Sequence, residues 1–283
     1  MRFLNGFSEI VDEYDGFILD LWGVIHNGVA PYPGAPECLA HLRDAGKKIV
    51  LLTNAPRRSS VIARQLERMG IDQSLYSGIM SSGEATHLML RDRPDAWYRN
   101  LGDRMFYIGP DRDLGLTDGI ALTKTHDPAD ASFILNTGPD YLRAPSEVGV
   151  FDAVLERCAA QQLPMVCANP DLEVIVDGRR VLCAGMLALR YIELGGDARM
   201  LGKPDKAIYS PVFDMLDLPR RRVLAVGDAL RTDIAGAAAA GVASCWVLGG
   251  LHGDHLGEDQ GEIEAEATKV GLAPMAAIRH LTW

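Results

Sequence analysis

Three polar side chains stand directly after strongly apolar runs of the sequence. Asp20 follows FIL, Thr53 follows IVLL, and Asp228 follows VLAVG. One such residue is often only a turn residue, because strands commonly end in Asp, Thr or Asn. Three of them, joined in chain order by Lys203, are harder to explain in this way. Ligands of open α/β sheets bind beyond the carboxyl ends of the strands, so we expect these side chains to share a site.

The residue types in this set suit chemistry on phosphate. A carboxylate such as that of Asp20 can attack phosphorus in line and form an aspartyl-phosphate, which divides one difficult displacement into two easier ones. Because both reactants are anions, positive charge is required, and Mg²⁺ on oxygen ligands together with Lys203 would supply it. Structural alternatives remain: Lys203 could be a solvated lysine at a helix start, and Thr53 could cap the following segment.

Short apolar runs alternate with helix-like segments at both ends of the chain, which favours parallel βαβ units. Each predicted helix closes near a glycine, a residue that commonly terminates helices. The predicted strands are 17–19, 49–53, 223–226 and 244–248, and the predicted helices are about 34–46, 58–69 and 231–240.

The middle of the chain has an alternation of its own, which indicates a separate small α/β domain. We predict that residues 1–80 and 199–283 form one parallel-sheet core and that residues 81–198 are inserted between its two halves. Candidate strands of the insertion are 105–108, 132–135 and 164–167, and its helical segments lie near 83–92 and 145–161.

Composition argues against several classes of function. The 283 residues carry a net charge of −10, so nothing indicates electrostatic capture of nucleic acid or of an anionic membrane. Five widely spaced cysteines without a C-x-x-C pair support neither a zinc site nor a redox motif. No apolar run approaches the roughly twenty residues that span a bilayer, and the first residues do not resemble a signal peptide. We therefore expect a cytoplasmic protein with reduced, buried thiols.

Four motifs follow one another in a fixed order: DLWGV from Asp20, LTN ending at Asn54, GKP around Lys203, and GDALRTD ending at Asp233. This order resembles the haloacid dehalogenase superfamily. The insertion after the second motif is similar to the class IIA, NagD-like sugar phosphatase branch. The resemblance covers essentially the whole chain. It implies a Rossmann-like core with an inserted α/β cap of the C2 type. It also implies a Mg²⁺-dependent phosphatase for a small phosphorylated metabolite, and a homodimer formed through the cap is a further expectation.

The resemblance also implies roles for individual residues. Asp20 is the nucleophile, and Lys203 assists it while binding phosphate. Asp233 acts near the metal in an outer position, through water, which is compatible with a favourable position in the first turn of a helix. The implied metal ligands are Asp20, the main-chain carbonyl of Trp22, Asp228 and Asp233, and the implied phosphate contacts are Thr53, Asn54 and Lys203.

Trp22 departs from the family pattern, which has aspartate two residues after the nucleophile. That aspartate protonates the leaving oxygen and later activates water, whereas an indole N–H can only donate a hydrogen bond. General acid–base assistance contributes about 10²–10⁴ in rate, so its loss should be felt most with poor leaving groups. Only the carbonyl is needed as a metal ligand, so the metal site is compatible with Trp22.

Several polar residues have both a functional and a structural interpretation. His26 could replace the missing proton donor, although a lone loop histidine is more often structural. Asn169 and Asp171 could face the substrate or form a simple Asn-Pro-Asp turn. The group His252, Asp254 and His255 could bind a metal, but a solvent-facing position on a glycine-rich loop is favoured.

Three functions therefore stay open. The favoured one is a Mg²⁺-dependent phosphohydrolase whose inserted domain determines specificity. The second is a binding or regulatory protein that kept the fold after losing the general acid. The third is a carbon–halogen hydrolase, which Asp228 and Asp233 argue against because metal-free halide displacement does not need these carboxylates.

Overall fold

The structure is a computed structural model that describes residues 1–140, 145, 147–176, 179–250 and 259–283. Strands and helices alternate along these residues, which confirms the predicted α/β class. Within the described part of the chain, no helix has both the length and the apolar character needed to cross a membrane. All five cysteines are buried and unpaired, as expected.

Fourteen strands and nine α-helices are described. The strands are β1 (Arg2–Leu4), β2 (Gly16–Leu19), β3 (Lys48–Thr53), β4 (Gly78–Ser81), β5 (Arg104–Ile108), β6 (Thr123–Thr125), β7 (Phe133–Asn136), β8 (Met165–Cys167), β9 (Glu173–Val176), β10 (Arg179–Leu182), β11 (Ala198–Met200), β12 (Val223–Gly227), β13 (Ala243–Val247) and β14 (Ala276–Ile278). The helices are α1 (Ala35–Asp44), α2 (Ser59–Arg68), α3 (Ser82–Asp92), α4 (Ala96–Arg99), α5 (Asp152–Ala160), α6 (Ala184–Glu193), α7 (Tyr209–Leu216), α8 (Ala235–Ala240) and α9 (Gln260–Lys269).

The chain forms two compact units. The first, called the core unit below, comprises Met1–Thr53, Ser60–Met80 and Lys203–Trp283. The second, called the insert unit, comprises Asn54–Ser59 and Ser81–Gly202.

The core unit contains a seven-stranded sheet in the order β1-β14-β13-β12-β2-β3-β4. Strand β2 pairs in parallel with β3 on one side and with β12 on the other. From β2 the chain winds outward through β3 and β4, whereas β12, β13 and β14 wind outward in the opposite direction. The winding therefore reverses between β2 and β12. A crevice opens at the carboxyl ends of the strands at such a point.

Burial explains why the central strands carry uninterrupted apolar runs. Every residue of β2 and of β12 is buried. A parallel strand in the middle of a sheet is covered on both faces, so both sets of alternating side chains must be apolar. Polar residues can begin only where the strand leaves the sheet, and Asp20 and Asp228 stand at those two positions.

The insert unit has its own five-stranded sheet, in the order β11-β8-β7-β5-β6, and a separate antiparallel ribbon of β9 and β10. Its central strand β7 is buried throughout. One apolar cluster packs Ile134 with residues of α5 and α6, and another packs Phe133 with residues of α3 and α4. Alternate side chains of β7 therefore contribute to two different clusters, which gives this unit a hydrophobic core of its own.

The predicted elements are confirmed in type, with changes at their ends. The helix predicted over 231–240 begins with a π-helical turn, Leu230–Ile234, before α8. The helix predicted over 145–161 is reduced to a 3₁₀ turn, Val148–Phe151, followed by α5. Periodicity cannot distinguish these tighter and wider turns from an α-helix, because all of them place apolar residues about one turn apart.

The unit boundaries differ from those predicted for the domains. Residues 54–59 and 199–202 belong to the insert unit rather than to the core. The first segment is bound to the start of α3, where the Gly83 N–H donates to the Ala55 carbonyl at 3.1 Å. The second includes part of β11, which pairs with β8. The role of the insert unit as a cap stays a prediction.

Candidate active site

A buried ion-pair cluster lies where the winding of the core sheet reverses. Lys203 Nζ donates to Asp20 Oδ1 and to Asp233 Oδ1, each at 2.6 Å, and to the Leu52 carbonyl at 3.0 Å. The three charged residues are only 3–8% exposed. Because an ammonium has three N–H donors, these three acceptors hold Lys203 in one position.

Negative charge exceeds what Lys203 balances. The pKa of Asp20 is raised to about 7, first by burial and next by the Asp233 carboxylate, although Lys203 and the Leu21 N–H act to lower it. Burial acts to lower the pKa of Lys203, but the two carboxylates hold that pKa above its usual range. A second cation beside Asp20 would favour its ionised form.

Asp228 completes a group of three buried carboxylates. Asp20, Asp228 and Asp233 each offer an oxygen, and these atoms lie within 4.8 Å of one another. Two glycines enclose the Asp228 carboxylate: a Cβ added at Gly23 would lie 2.0 Å from Oδ2, and one added at Gly250 would lie 2.2 Å from it. Main chain therefore approaches this carboxylate more closely than any side-chain-bearing residue permits.

These oxygens fit a small divalent cation such as Mg²⁺, which prefers oxygen ligands. The Trp22 carbonyl accepts no hydrogen bond from the described residues, so it is available as a further ligand. Asp233 already accepts hydrogen bonds on both oxygens, from Lys203 at 2.6 Å and from the Ala229 N–H at 3.1 Å. This arrangement suits a role in which Asp233 contacts the cation through a water molecule rather than directly. The assignment of these residues as metal ligands stays a prediction.

Trp22 lies in a tight loop directly after Asp20. The loop is closed by hydrogen bonds from the Gly23 N–H to the His26 carbonyl at 3.1 Å and from the His26 N–H to the Leu21 carbonyl at 3.0 Å. The far edge of the indole packs on Gly28, where an added Cβ would lie 2.3 Å from Cη2. Trp22 Nε1 has no hydrogen-bond partner among the described residues. The side chain thus offers a donor but no acid.

His26 is buried in the same loop. Its Nδ1 accepts a hydrogen bond from the Gly28 N–H at 3.0 Å. Burial lowers the pKa of His26 to about 4, so the imidazole is neutral at pH 7. A neutral imidazole that accepts on Nδ1 is a poor proton donor to a leaving group. These features favour the structural interpretation of His26.

Thr53 leaves the core sheet at the same edge as Asp20, because β3 lies beside β2 with Leu51 opposite Leu19. Three further predicted contacts lie in the insert unit, namely Asn54, Asn169 and Asp171. The Asp171 N–H donates to Asn169 Oδ1 at 2.9 Å, the geometry of an Asn-Pro-Asp turn, and Asp171 Oδ1 accepts from Asn54 Nδ2 at 2.8 Å. Contact of these residues with phosphate or substrate stays a prediction.

Two groups that position the site, the Trp246 indole and the Leu52 carbonyl, were not predicted from the sequence. Trp246 is fully buried in β13, and its Nε1–H donates to the Asp228 carbonyl at 2.8 Å. The signal for this contact was a tryptophan inside a predicted buried strand, since its N–H must find an acceptor. Nothing in the sequence marked the Leu52 carbonyl as a partner of Lys203. The group His252, Asp254 and His255 lies outside the described residues.

Two family models match separate parts of the chain. A model described as haloacid dehalogenase-like hydrolase matches residues 17–119, which include Asp20 and Thr53. A HAD-hydrolase-like model matches residues 200–270, which include Lys203 and Asp228. The chain belongs to the haloacid dehalogenase-like hydrolases. The resemblance inferred from the four motifs is thus confirmed.

Relatives of known name point in the same direction. Chronophin of Rattus norvegicus is 28% identical over 236 residues, which cover 80% of this chain and 74% of the relative. The D-glycerol 3-phosphate phosphatase of Mycobacterium tuberculosis is 27% identical over 87% of this chain and 66% of its own.

Solved structures confirm the fold. A haloacid dehalogenase-like hydrolase from Brucella suis has a TM-score of 0.84 at 28% identity and covers 99% of this chain and 100% of its own. The glycerol phosphate phosphatase of Mycobacterium tuberculosis in complex with magnesium has a TM-score of 0.66 at 24% identity, covering 86% of this chain and 70% of its own.

The enclosure of Asp228 yields the first prediction. Gly23→Ala should weaken Mg²⁺ binding by about 10–100-fold, because the new Cβ must displace the carboxylate. Gly46→Ala is the matched control, since Gly46 also has a positive φ, 70° against 85°, but has nothing within 4 Å. The control should cost only about 1–2 kcal/mol of stability. Titration calorimetry with Mg²⁺ measures both variants, and equal affinities would contradict the assignment of Asp228.

The raised pKa of Asp20 yields the second prediction. Without metal, folded Asp20 keeps its proton up to about pH 7, whereas the unfolded chain loses it near about pH 4, so this group's contribution to stability declines between those values. A cation must displace that proton. The increase in Tm caused by Mg²⁺ should therefore be larger at pH 8 than at pH 6.

Two variants test the origin of this pH dependence. Asp20→Asn should lose most of the Mg²⁺-induced increase in Tm at both pH values, whereas substitution of the exposed Asp118 by Asn should leave it unchanged. A full, pH-dependent Mg²⁺ effect in Asp20→Asn would place the cation elsewhere.

Proposed function

We propose that this chain is a Mg²⁺-dependent phosphatase that hydrolyses a phosphoric monoester of a small metabolite through an aspartyl-phosphate on Asp20. The observation that carries the proposal is the buried cluster in which Lys203 pairs with Asp20 and Asp233 while Asp228 lies within reach of both. Chronophin and the glycerol phosphate phosphatases among the relatives support the reaction type. The magnesium complex of one such relative supports the choice of cation.

The reaction proceeds in two displacements on phosphorus. A carboxylate oxygen of Asp20 attacks the phosphorus atom, the bond from phosphorus to the ester oxygen breaks, and the leaving group departs with the electron pair. Water then attacks the aspartyl-phosphate, the bond from phosphorus to the Asp20 oxygen breaks, and inorganic phosphate and a proton are released. The Asp20 carboxylate is regenerated.

The protein contributes mainly position and charge. Lys203 holds Asp20 in place and would offset the charge of the incoming phosphate, while Thr53 would donate a hydrogen bond to a phosphate oxygen. Asp20, Asp228 and the Trp22 carbonyl would hold Mg²⁺, with Asp233 behind them. The bound cation would neutralise charge on the phosphoryl oxygens.

Trp22 directs this chemistry toward esters that need little protonation. Its indole cannot transfer a proton to the departing oxygen, and the neutral, internally bonded His26 is a poor substitute. Aryl and acyl phosphates leave as weakly basic anions, whereas a sugar alkoxide does not. We therefore expect efficient turnover of the first group and slow turnover of simple alkyl or sugar phosphates.

Trp22, which cannot act as an acid, also supports a second candidate function. The chain could be a phosphate-binding or regulatory protein that hydrolyses no substrate. Such a protein would keep the charged cluster and the fold, and it would bind phosphate without hydrolysing esters. A carbon–halogen hydrolase is disfavoured, because the cluster retains Asp228 and Asp233 beside the nucleophile.

Hydrolysis of 4-nitrophenyl phosphate tests the proposed function. The parent protein should release 4-nitrophenol only with Mg²⁺ present, and Asp20→Asn should lower kcat by roughly 10³-fold or more because the nucleophile is absent. Loss of activity with EDTA and recovery with excess Mg²⁺ is the matched control. If the parent turns over no aryl, acyl or sugar phosphate, the binding-protein alternative replaces the proposal.

The role of Trp22 is tested with phosphate esters of graded leaving-group pKa. In the parent, kcat/KM should fall steeply as that pKa rises, because departure is unassisted. Trp22→Asp should recover part of the roughly 10²–10⁴ that general acid catalysis contributes, mainly for poor leaving groups. Trp22→Asn, which opens the same space against Gly28 without an acid, should not.

Two results would contradict this account of Trp22. A flat dependence in the parent would mean that another group already supplies the proton. Equal recovery in Trp22→Asp and Trp22→Asn would mean that the indole acts by obstructing the site.

A further inference from the structure

A hydrogen-bonded group in the insert unit adjoins two residues of the proposed active site along the chain. Asn54 directly follows Thr53, and Gly202 directly precedes Lys203. Asn54 and Gly202 both contact Ser82 and the turn that ends at Asp171. These four residues, Asn54, Ser82, Asp171 and Gly202, are called the junction cluster below.

Both ends of the Asn54 amide are engaged within the junction cluster. Its Nδ2 donates to Asp171 Oδ1 at 2.8 Å, and its Oδ1 accepts from Ser82 Oγ at 3.2 Å. Asn54 is 3% exposed and Ser82 is fully buried. Because a buried amide that turns away leaves its partners unsatisfied, these bonds fix the direction of the side chain.

Gly202 packs directly on this amide. A Cβ added there would lie 2.2 Å from Ser82 Oγ and 2.5 Å from Asn54 Oδ1, and Gly202 has a φ of 136°. Only glycine permits this contact and this conformation. The main chain that leads into Lys203 is thus held against the side chain that follows Thr53.

The segment between Asn54 and α2 is bound along its length to the start of α3. The Gly83 N–H donates to the Ala55 carbonyl at 3.1 Å, and Glu84 accepts from the Arg58 guanidinium at 2.8 and 3.0 Å and from the Ser59 N–H at 3.0 Å. A Cβ added at Gly83 would lie 2.3 Å from the main-chain nitrogen of Arg57. The side-chain amide of Asn54 therefore adds hydrogen bonds at the beginning of a segment whose remaining residues are bound to the start of α3.

We propose that Asn54 is a positioning residue whose side chain fixes the main chain on both sides of the active site, after Thr53 and before Lys203. In this role the amide binds Asp171 and Ser82, and it does not bind the substrate phosphate. Asp171 serves as its hydrogen-bond acceptor. The proposal rests on the proposed function for its kinetic test, and it replaces the direct contacts that the sequence predicts for the Asn54 and Asp171 side chains.

A reciprocal exchange of the two side chains tests this proposal. Asn54→Asp places two carboxylates at hydrogen-bond distance and should lower kcat by about 10²-fold, because misplaced reacting groups are that costly. Asp171→Asn keeps an acceptor for Asn54 and should change kcat/KM by no more than about threefold. The double variant restores the bond with its direction reversed, so it should recover kcat to within about tenfold of the parent.

The opposite result identifies a direct phosphate contact. A carboxylate at position 54 that faced the phosphate would repel it whatever stands at position 171, so the double variant would stay as impaired as Asn54→Asp. An increase in KM for Asp171→Asn alone would assign Asp171 to the substrate. If the role of Asn54 is purely structural, Asn54→Asp should lower Tm without lowering kcat, and the double variant should restore Tm.

Binding of inorganic phosphate in the presence of Mg²⁺ keeps the two proposals separate. If the parent hydrolyses no ester, the proposed function fails, and the same four proteins are compared by calorimetry with phosphate. Recovery of phosphate affinity in the double variant would still support the junction cluster, and affinity as low as that of Asn54→Asp would overturn it.

Discussion

The structure of the site depends on one buried ammonium that must hold two carboxylates. Lys203 bonds Asp20 and Asp233 at the same distance, 2.6 Å, and its third N–H is held by a main-chain carbonyl. Removal of one partner from a buried ion pair typically costs about 3–5 kcal/mol, because the other charge is left uncompensated. The cluster is therefore stable only as a set, and Asp228 increases its negative charge further. Burial raises the pKa of Asp20 to about 7, and the neighbouring Asp233 carboxylate is the next largest cause.

Close packing of main chain, rather than side-chain chemistry alone, creates this site. Gly23 and Gly250 allow main chain to enclose Asp228, and Gly227 lets Asp233 lie against β12, where an added Cβ would be 2.1 Å from the Asp233 Cβ. At each of these positions, the lack of a side chain on glycine leaves the space in which the neighbouring carboxylate lies. Such glycines carry no chemistry of their own, yet any other residue would separate the charged groups.

The sequence predicted the composition of the site better than its internal geometry. Asp20, Thr53 and Asp228 were identifiable because an apolar run that ends in a polar residue marks the carboxyl end of a buried parallel strand. Lys203 and Asp233 were identified through family motifs. The need of the buried Trp246 N–H for an acceptor could be foreseen, but the identity of that acceptor could not, and neither could the partner of Asn54, because both depend on side-chain directions. The short strands β1 and β14 escaped prediction because three residues contain too little periodic signal.

The strand order also determines when during synthesis the site can form. Strand β2 lies between β3 and β12, and slightly more than two hundred residues separate it from β12 in the chain. A growing chain that has completed the insert unit therefore still carries a β2 edge without its second neighbour, and an unpaired apolar edge invites association with other chains. Strand β1, whose described neighbour is β14, must wait longer still. The insert unit has all but six of its residues in one continuous stretch, so it can fold while the core that surrounds it in sequence is incomplete.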